Sequence, residues 1–191
     1  TNCYLVVCPE THSALVIDPA DSADRILSVA QQQGAKIEQI LLTHAHLDHI
    51  AGLPELRQAT NARVLAHPRE AEMLGTYLGL FGLKPSQFPA LRLDVELRGG
   101  EEISIGRHTA TVIHTPGHTP GGLSLRLLGS VFTGDTLFAQ GIGRVDLPGG
   151  NLDQILASIQ TLFTLPDDTV AYPGHGEETT IGTEKADNPY V

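Results

Sequence analysis

The spacing of apolar positions divides the chain into short strands and helices. Apolar residues 3–7 and 14–17 predict a strand pair, with 9–12 at the turn. Residues 22–33 predict a helix: Ser22 is placed to cap it, Ile26, Leu27 and Ala30 make an apolar stripe, and Gly34 stops it. Residues 37–42 form an apolar strand that runs into Thr43 and His44, and a short helix follows over 53–59. Residues 62–66 predict a strand ended by Pro68. Gly82, Pro85 and Pro89 mark 80–89 as a loop or lid, and Tyr77, Phe81 and Phe88 are assigned to that lid, expected to pack beneath it with a substrate pocket as the alternative. Strands are then expected over 103–105, 109–114, 123–127 and 130–133. A helix over 152–163 is capped by Asn151, with Ile155, Ile159 and Leu162 or Phe163 inward, and 170–172 is a last strand. The two halves repeat a similar order of strands and helices, which establishes a mixed α+β class.

One polar cluster interrupts this pattern. Thr43-His44-Ala45-His46-Leu47-Asp48-His49 directly follows an apolar strand. Bunched imidazoles repel one another once protonated, whereas neutral imidazole and carboxylate are the usual ligands of zinc. Alternate residues His44 and His46 can face one ion while Asp48 and His49 turn to a second. Three further donors stand at predicted turns: His118 in Pro116-Gly117-His118, Asp135 in Thr133-Gly134-Asp135, and His175 in Pro173-Gly174-His175. Each follows a glycine, which lets the backbone turn sharply and come close to a ligand. Singly, each is a turn residue more often than a ligand; with the cluster they complete a set.

Composition narrows the partners. The chain has 191 residues, enough for one well-filled core, so one domain over 1–191 is expected. The formal net charge is −10, from 12 basic and 22 acidic residues, the reverse of the usual balance in a nucleic-acid binder. No apolar run approaches the roughly 20 residues of a membrane span, and no signal-peptide pattern is present. Cys3 and Cys8 point to opposite faces of an extended segment, so they are expected to stay unpaired as small packing residues, and a cytoplasmic location follows. The chain opens at Thr1 directly in a predicted strand, so residues upstream are expected.

These motifs resemble the metallo-β-lactamase superfamily, and more closely its glyoxalase II branch, the hydroxyacylglutathione hydrolases. The resemblance runs from Asn2-Cys3-Tyr4 and Ile17-Asp18-Pro19 through the histidine cluster, residues 114–122 and 134–144, to residues 173–176 and Asn188-Pro189. It implies a four-layer αββα sandwich. It also implies that His44, His46 and His118 hold a first divalent ion and Asp48, His49 and His175 a second, with Asp135 bridging. Zinc is the first expectation; iron or manganese would suit the same donors. A hydroxide shared by the ions, oriented by Asp48, would attack the carbonyl of a small thioester such as S-lactoylglutathione. A thiolate leaves without prior protonation, which matches a chain with no other acid–base constellation.

The resemblance weakens at the thiol-binding end. The chain ends soon after Asn188-Pro189, so it resembles a compact form without the branch's C-terminal helical domain. Arg144 falls where the branch has a carboxylate-binding lysine, Asp146 where it has a tyrosine, and Gly176-Glu177 replace a second contact tyrosine. Arg144 is therefore the candidate substrate contact. Persulfide dioxygenase, with one iron on His44, His118 and Asp135, is the competing reading, and a lactonase would share the whole donor set. A true β-lactamase is disfavoured by Asp135. Of the other histidines, His12 and His108 are expected in solvent, and His67 and His114 near the site as ordinary hydrogen-bonded residues.

Overall fold

The computed structural model describes residues 1–84, 86 and 91–191. In the first half, β1 (Tyr4–Val7) pairs antiparallel with β2 (Ser13–Ile17), Tyr4 opposite Ile17. Helix α1 (Ala23–Gln32) leads to β3 (Lys36–Leu41), which lies parallel to β2. Two short helices, α2 (Leu47–Ile50) and α3 (Leu53–Thr60), precede β4 (Arg63–Ala66). Helix α4 (Pro68–Gly79) then connects to the two-residue β5 (Val95–Glu96). The five strands form one sheet in chain order, with β2 to β5 all parallel.

The second half carries β6 (Glu102–Ile105), β7 (His108–His114), β8 (Leu123–Leu127) and β9 (Ser130–Gly134) as an antiparallel run. After the small hairpin β10 (Leu137–Phe138) and β11 (Gly141–Ile142) comes helix α5 (Leu152–Leu162). Strand β12 (Val170–Pro173) returns parallel to β9, β13 (Thr179–Thr180) pairs with β12, and α6 (Ile181–Asp187) follows. The order across this sheet is β13-β12-β9-β8-β7-β6.

Alternation along the strands explains the layers, since successive side chains point to opposite faces. On β2, Ala14 and Val16 face α1, α3 and α4, meeting Ile26, Leu53, Leu56 and Leu78; Leu15 and Ile17 face the other sheet, meeting Val112 and Leu125. On the second sheet, Val131 and Ala171 turn away from that interface toward Ile155 and Ile159 of α5 and Ile181 of α6. Three apolar layers thus separate helix, sheet, sheet and helix, the αββα sandwich that the motifs implied.

Some local expectations need correction. Ser22 stands at the N-cap of α1, but its left-handed backbone (φ 51°) leaves the side chain without a cap bond; its carbonyl accepts from Arg25 and Ile26 instead. Asn151 does cap α5, accepting from the Gln154 N–H. Pro68 ends β4 and also opens α4, where a proline is tolerated because its missing N–H has no partner in the first turn. Tyr77 therefore lies in α4, fully buried, and not in a lid. Phe81 is exposed, while Pro85, Phe88 and Pro89 of the expected lid lie outside the described residues.

Candidate metal centre

The parallel strands end at one edge of the sandwich, where crevices beyond their carboxyl ends commonly bind ligands. Asp18 follows β2, Thr43 and His44 follow β3, His49 lies on α2, Asp135 follows β9 and His175 follows β12. His118 arrives from the loop between β7 and β8. The donor atoms of His44, His46 and His118 lie within 4.8 Å of one another, as do those of Asp48, His49 and His175. Asp135 stands between the groups: its Oδ1 is 3.4 Å from His49 Nε2, and its Oδ2 is 3.6 Å from His118 Nε2 and 3.5 Å from His175 Nε2. Every donor singled out in the sequence is thus brought to one place.

Glycines make the convergence possible. Gly134 adopts φ +50°, and a Cβ there would press on Thr43. A Cβ on Gly174 would stand 2.2 Å from Asp135 Oδ1 and 2.8 Å from His49 Cε1, in the space the carboxylate occupies.

Hydrogen bonds behind the histidines fix their tautomers. His49 Nδ1 donates to Asp18 Oδ2 at 2.9 Å, and His118 Nδ1 donates to the Arg144 carbonyl at 2.8 Å. The Thr43 hydroxyl spends its proton on Asp18 Oδ2 (2.6 Å), so it accepts from His44 Nδ1 (3.1 Å). In each ring the Nε2 lone pair is left facing the centre. His44 Nε2, His49 Nε2 and Asp135 Oδ1 are buried with no hydrogen-bond partner. Buried polar atoms are nearly always paired, so these orphans fit a bound cation. His46 instead offers Nδ1, which faces His118 Nε2 at 2.9 Å.

Electrostatics agree with that fit. Burial, reinforced by the neighbouring imidazoles, lowers His44 far below the usual histidine range and brings His46 to about 3. Burial alone is the largest cause at His118, which falls to about 4, and it also lowers His175. These rings are neutral at pH 7, the form that binds metal. Burial also pulls His49 down, but Asp18, Asp135 and Asp48 outweigh it and hold it above the ordinary value. Burial lifts Asp135 to about 7. Uncompensated carboxylate and imidazole groups packed this densely are suited to a divalent ion.

Two residues behind the centre escaped the sequence reading. Asp18, with φ +51°, accepts from the Thr43 N–H and hydroxyl and from His49, so one carboxylate orients two candidate ligands. Its only sequence signal was its place in Ile17-Asp18-Pro19. Glu70, on the unpredicted α4, is fully buried; its Oε2 accepts from the Ala45 N–H at 2.8 Å and its Oε1 from the Gly121 N–H at 2.9 Å. Burial raises it to about 7. It ties the loop of His44 and His46 to the loop of His118.

Arg144 contributes its carbonyl to the centre, while its exposed guanidinium pairs bidentately with Asp146 at 2.7 Å. His67 and His114 stack on each other with ring centroids 4.7 Å apart, His67 accepting from the Arg69 N–H and His114 bonding the Pro120 carbonyl, so both are ordinary hydrogen-bonded residues. Phe138 stands 6.2 Å from the His175 ring and gives the site an apolar wall.

A sandwich of two sheets with this donor cluster at its edge defines a metal-dependent hydrolase fold, and comparison with known proteins agrees. The family model of the metallo-β-lactamase superfamily matches residues 1–175, and the chain belongs to that superfamily. Hydroxyacylglutathione hydrolase GloC of Haemophilus influenzae is 34% identical over the whole of this chain and 92% of its own length. ETHE1 from Myxococcus xanthus superposes with a TM-score of 0.83 at 35% identity, covering 98% of this chain and 77% of that one. TTHA1623, solved in a di-iron-bound form, gives 0.84 at 35% identity, covering 100% and 94%. No described helix is long and apolar enough to cross a membrane.

Proposed function

We propose that the chain is a single-domain dinuclear metal hydrolase that cleaves a small thioester, S-lactoylglutathione or a related S-2-hydroxyacyl thiol, to a hydroxy acid and free thiol. The observation that carries this reading is the pair of donor triads with Asp135 between them. His44, His46 and His118 would hold one ion, Asp48, His49 and His175 the other, and Asp135 both. Zinc suits these donors best, with iron or manganese as alternatives. The similarity to GloC supports the substrate class and the di-iron neighbour supports two ions.

Such an ion pair supplies Lewis acidity and a water acidified toward neutral pH. The chain's residues do the rest. Asp48 is half exposed at the rim, its Oδ2 3.3 Å from His175 Nε2 and accepting from the Thr1 hydroxyl at 2.6 Å, where the carboxylate can orient the attacking water. Asp18 and the Arg144 carbonyl accept from the Nδ1 atoms of His49 and His118 and so aim their Nε2 atoms at the centre. The leaving thiolate, with a pKa of about 8.5, needs no acid. Arg144 offers a cation for a substrate carboxylate, which would compete with Asp146 for it.

Metal analysis of the purified protein together with a thioesterase assay on S-lactoylglutathione tests the proposal. Two ions in the donor cluster of each chain and hydrolysis are expected. His46→Ala and Asp135→Ala should abolish turnover and retain cooperative unfolding, since the core is built elsewhere. The likeness to ETHE1 favours a second reading, persulfide dioxygenation at one iron on His44, His118 and Asp135. A persistent single iron with oxygen consumption on a persulfide would replace the hydrolase by it.

A further inference from the structure

At the opposite edge of the sandwich, the β1–β2 turn meets the β6–β7 turn. Cys8 and Glu10 come from the first, Gly106 and Arg107 from the second, and His108 opens β7. The Cys8 thiol is buried and donates to Glu10 Oε2 at 3.1 Å, and the same oxygen lies 3.5 Å from His108 Nε2. Sulfur, carboxylate oxygen and imidazole nitrogen all fall within 4.8 Å of one another. None of them belongs to the catalytic cluster.

We propose that Cys8, Glu10 and His108 form a second, separate metal site for a borderline-soft divalent ion of the zinc class. Bond lengths support the geometry. An ion with S, O and N ligands at ordinary zinc distances and tetrahedral angles separates S from O by about 3.6 Å and O from N by about 3.4 Å. The oxygen–nitrogen distance already matches at 3.5 Å, and the sulfur–oxygen distance of 3.1 Å is that of a hydrogen bond whose proton the ion would displace to solvent.

The surroundings suit a thiolate. The Arg107 N–H points at Cys8 Sγ at 3.5 Å. That contact and the Thr11 hydroxyl lower the Cys8 pKa below the ordinary thiol value. Gly106 sits in the left-handed region at φ +59°, and a Cβ there would stand 2.5 Å from the sulfur, so glycine brings the backbone close to it. Glu10 and His108 keep 48% and 33% of their side chains exposed, which gives an ion a path in and leaves a fourth position for water. Cys8 is expected from the sequence as a packing residue and His108 in solvent, and nothing in the sequence links them because they are a hundred residues apart.

Cobalt(II) titration of the metal-stripped full chain separates this site from the catalytic one. The catalytic donors include no sulfur, so thiolate-to-cobalt charge-transfer absorption in the near ultraviolet reports a cysteine, and substitution tells Cys8 from Cys3. The band is expected in the wild type, in Asp135→Ala and in Cys3→Ser, and is lost in Cys8→Ser. His108→Ala and Glu10→Gln change half-exposed side chains and should fold normally; each should weaken the cobalt affinity read from the band at least tenfold. Absence of the band in the folded wild type at saturating cobalt overturns the proposal. So does a band lost in Cys3→Ser and retained in Cys8→Ser, or an affinity that His108→Ala leaves unchanged. Hydrolase activity enters none of these readings, so the site and the catalytic proposal stand or fall separately.

Discussion

Asp18 shows how much a single side chain behind the donors decides. Its carboxylate holds Thr43 and His49, and through Thr43 it sets the proton of His44. Asp18→Asn presents an amide where a carboxylate accepted, so one of these donors meets an N–H. Partners of this kind typically control metal affinity by ten- to a hundredfold. We expect the variant to fold, with ion affinity lowered by about that factor; competition against a chelator measures it, and unchanged affinity would rule the role out. Arg144→Ala tests the rim. If its guanidinium takes a substrate carboxylate, KM for S-lactoylglutathione should rise by about fivefold at most with kcat held, since water screens an exposed ion pair. Asp146→Ala should lower KM by freeing the cation, and a lactone without the carboxylate should respond to neither change.

Helix α4 matters to the site through Glu70, whose carboxylate spans two ligand loops. Glu70→Ala leaves the Ala45 and Gly121 N–H groups buried without acceptors, and each such orphan costs about 1–3 kcal/mol. For a chain of this size a kilocalorie moves Tm by about 2–4 °C, so a fall of roughly 5 °C or more is expected in calorimetry. A Tm within one degree of the wild type would show that the loops hold themselves. The sequence concealed this helix because Pro68 serves both as the stop of β4 and as the first residue of α4, and the first role was the one read. Strands β5, β10, β11 and β13 were equally hidden, for two residues carry no period. What was legible were the long apolar strands and the donors, because His44, His46 and His49 crowd into six residues and His118, Asp135 and His175 each follow a glycine. Asp18 and Glu70 are single acids in ordinary surroundings, and only tertiary contacts reveal their partners.

For the molecule as a whole, an ion bound in the folded state and absent from the unfolded one adds RT ln(1 + [L]/Kd) to stability, about 4 kcal/mol at a thousandfold excess over Kd. Chelation should therefore lower the unfolding temperature by roughly 10 °C, and zinc should restore it. Identical melting curves with and without chelator would indicate that no tight ion is present.

The donors are divided between the sheets. His44, His46, Asp48 and His49 come from the half that holds β1 to β5, and His118, Asp135 and His175 from the half that holds β6 to β13. Each proposed ion would take ligands from both. A metal at this edge would then act as a rivet through two plates. Neither half alone offers either ion its full grip, so tight binding would wait until the sheets have docked, and the enzyme would become active only once its architecture is complete.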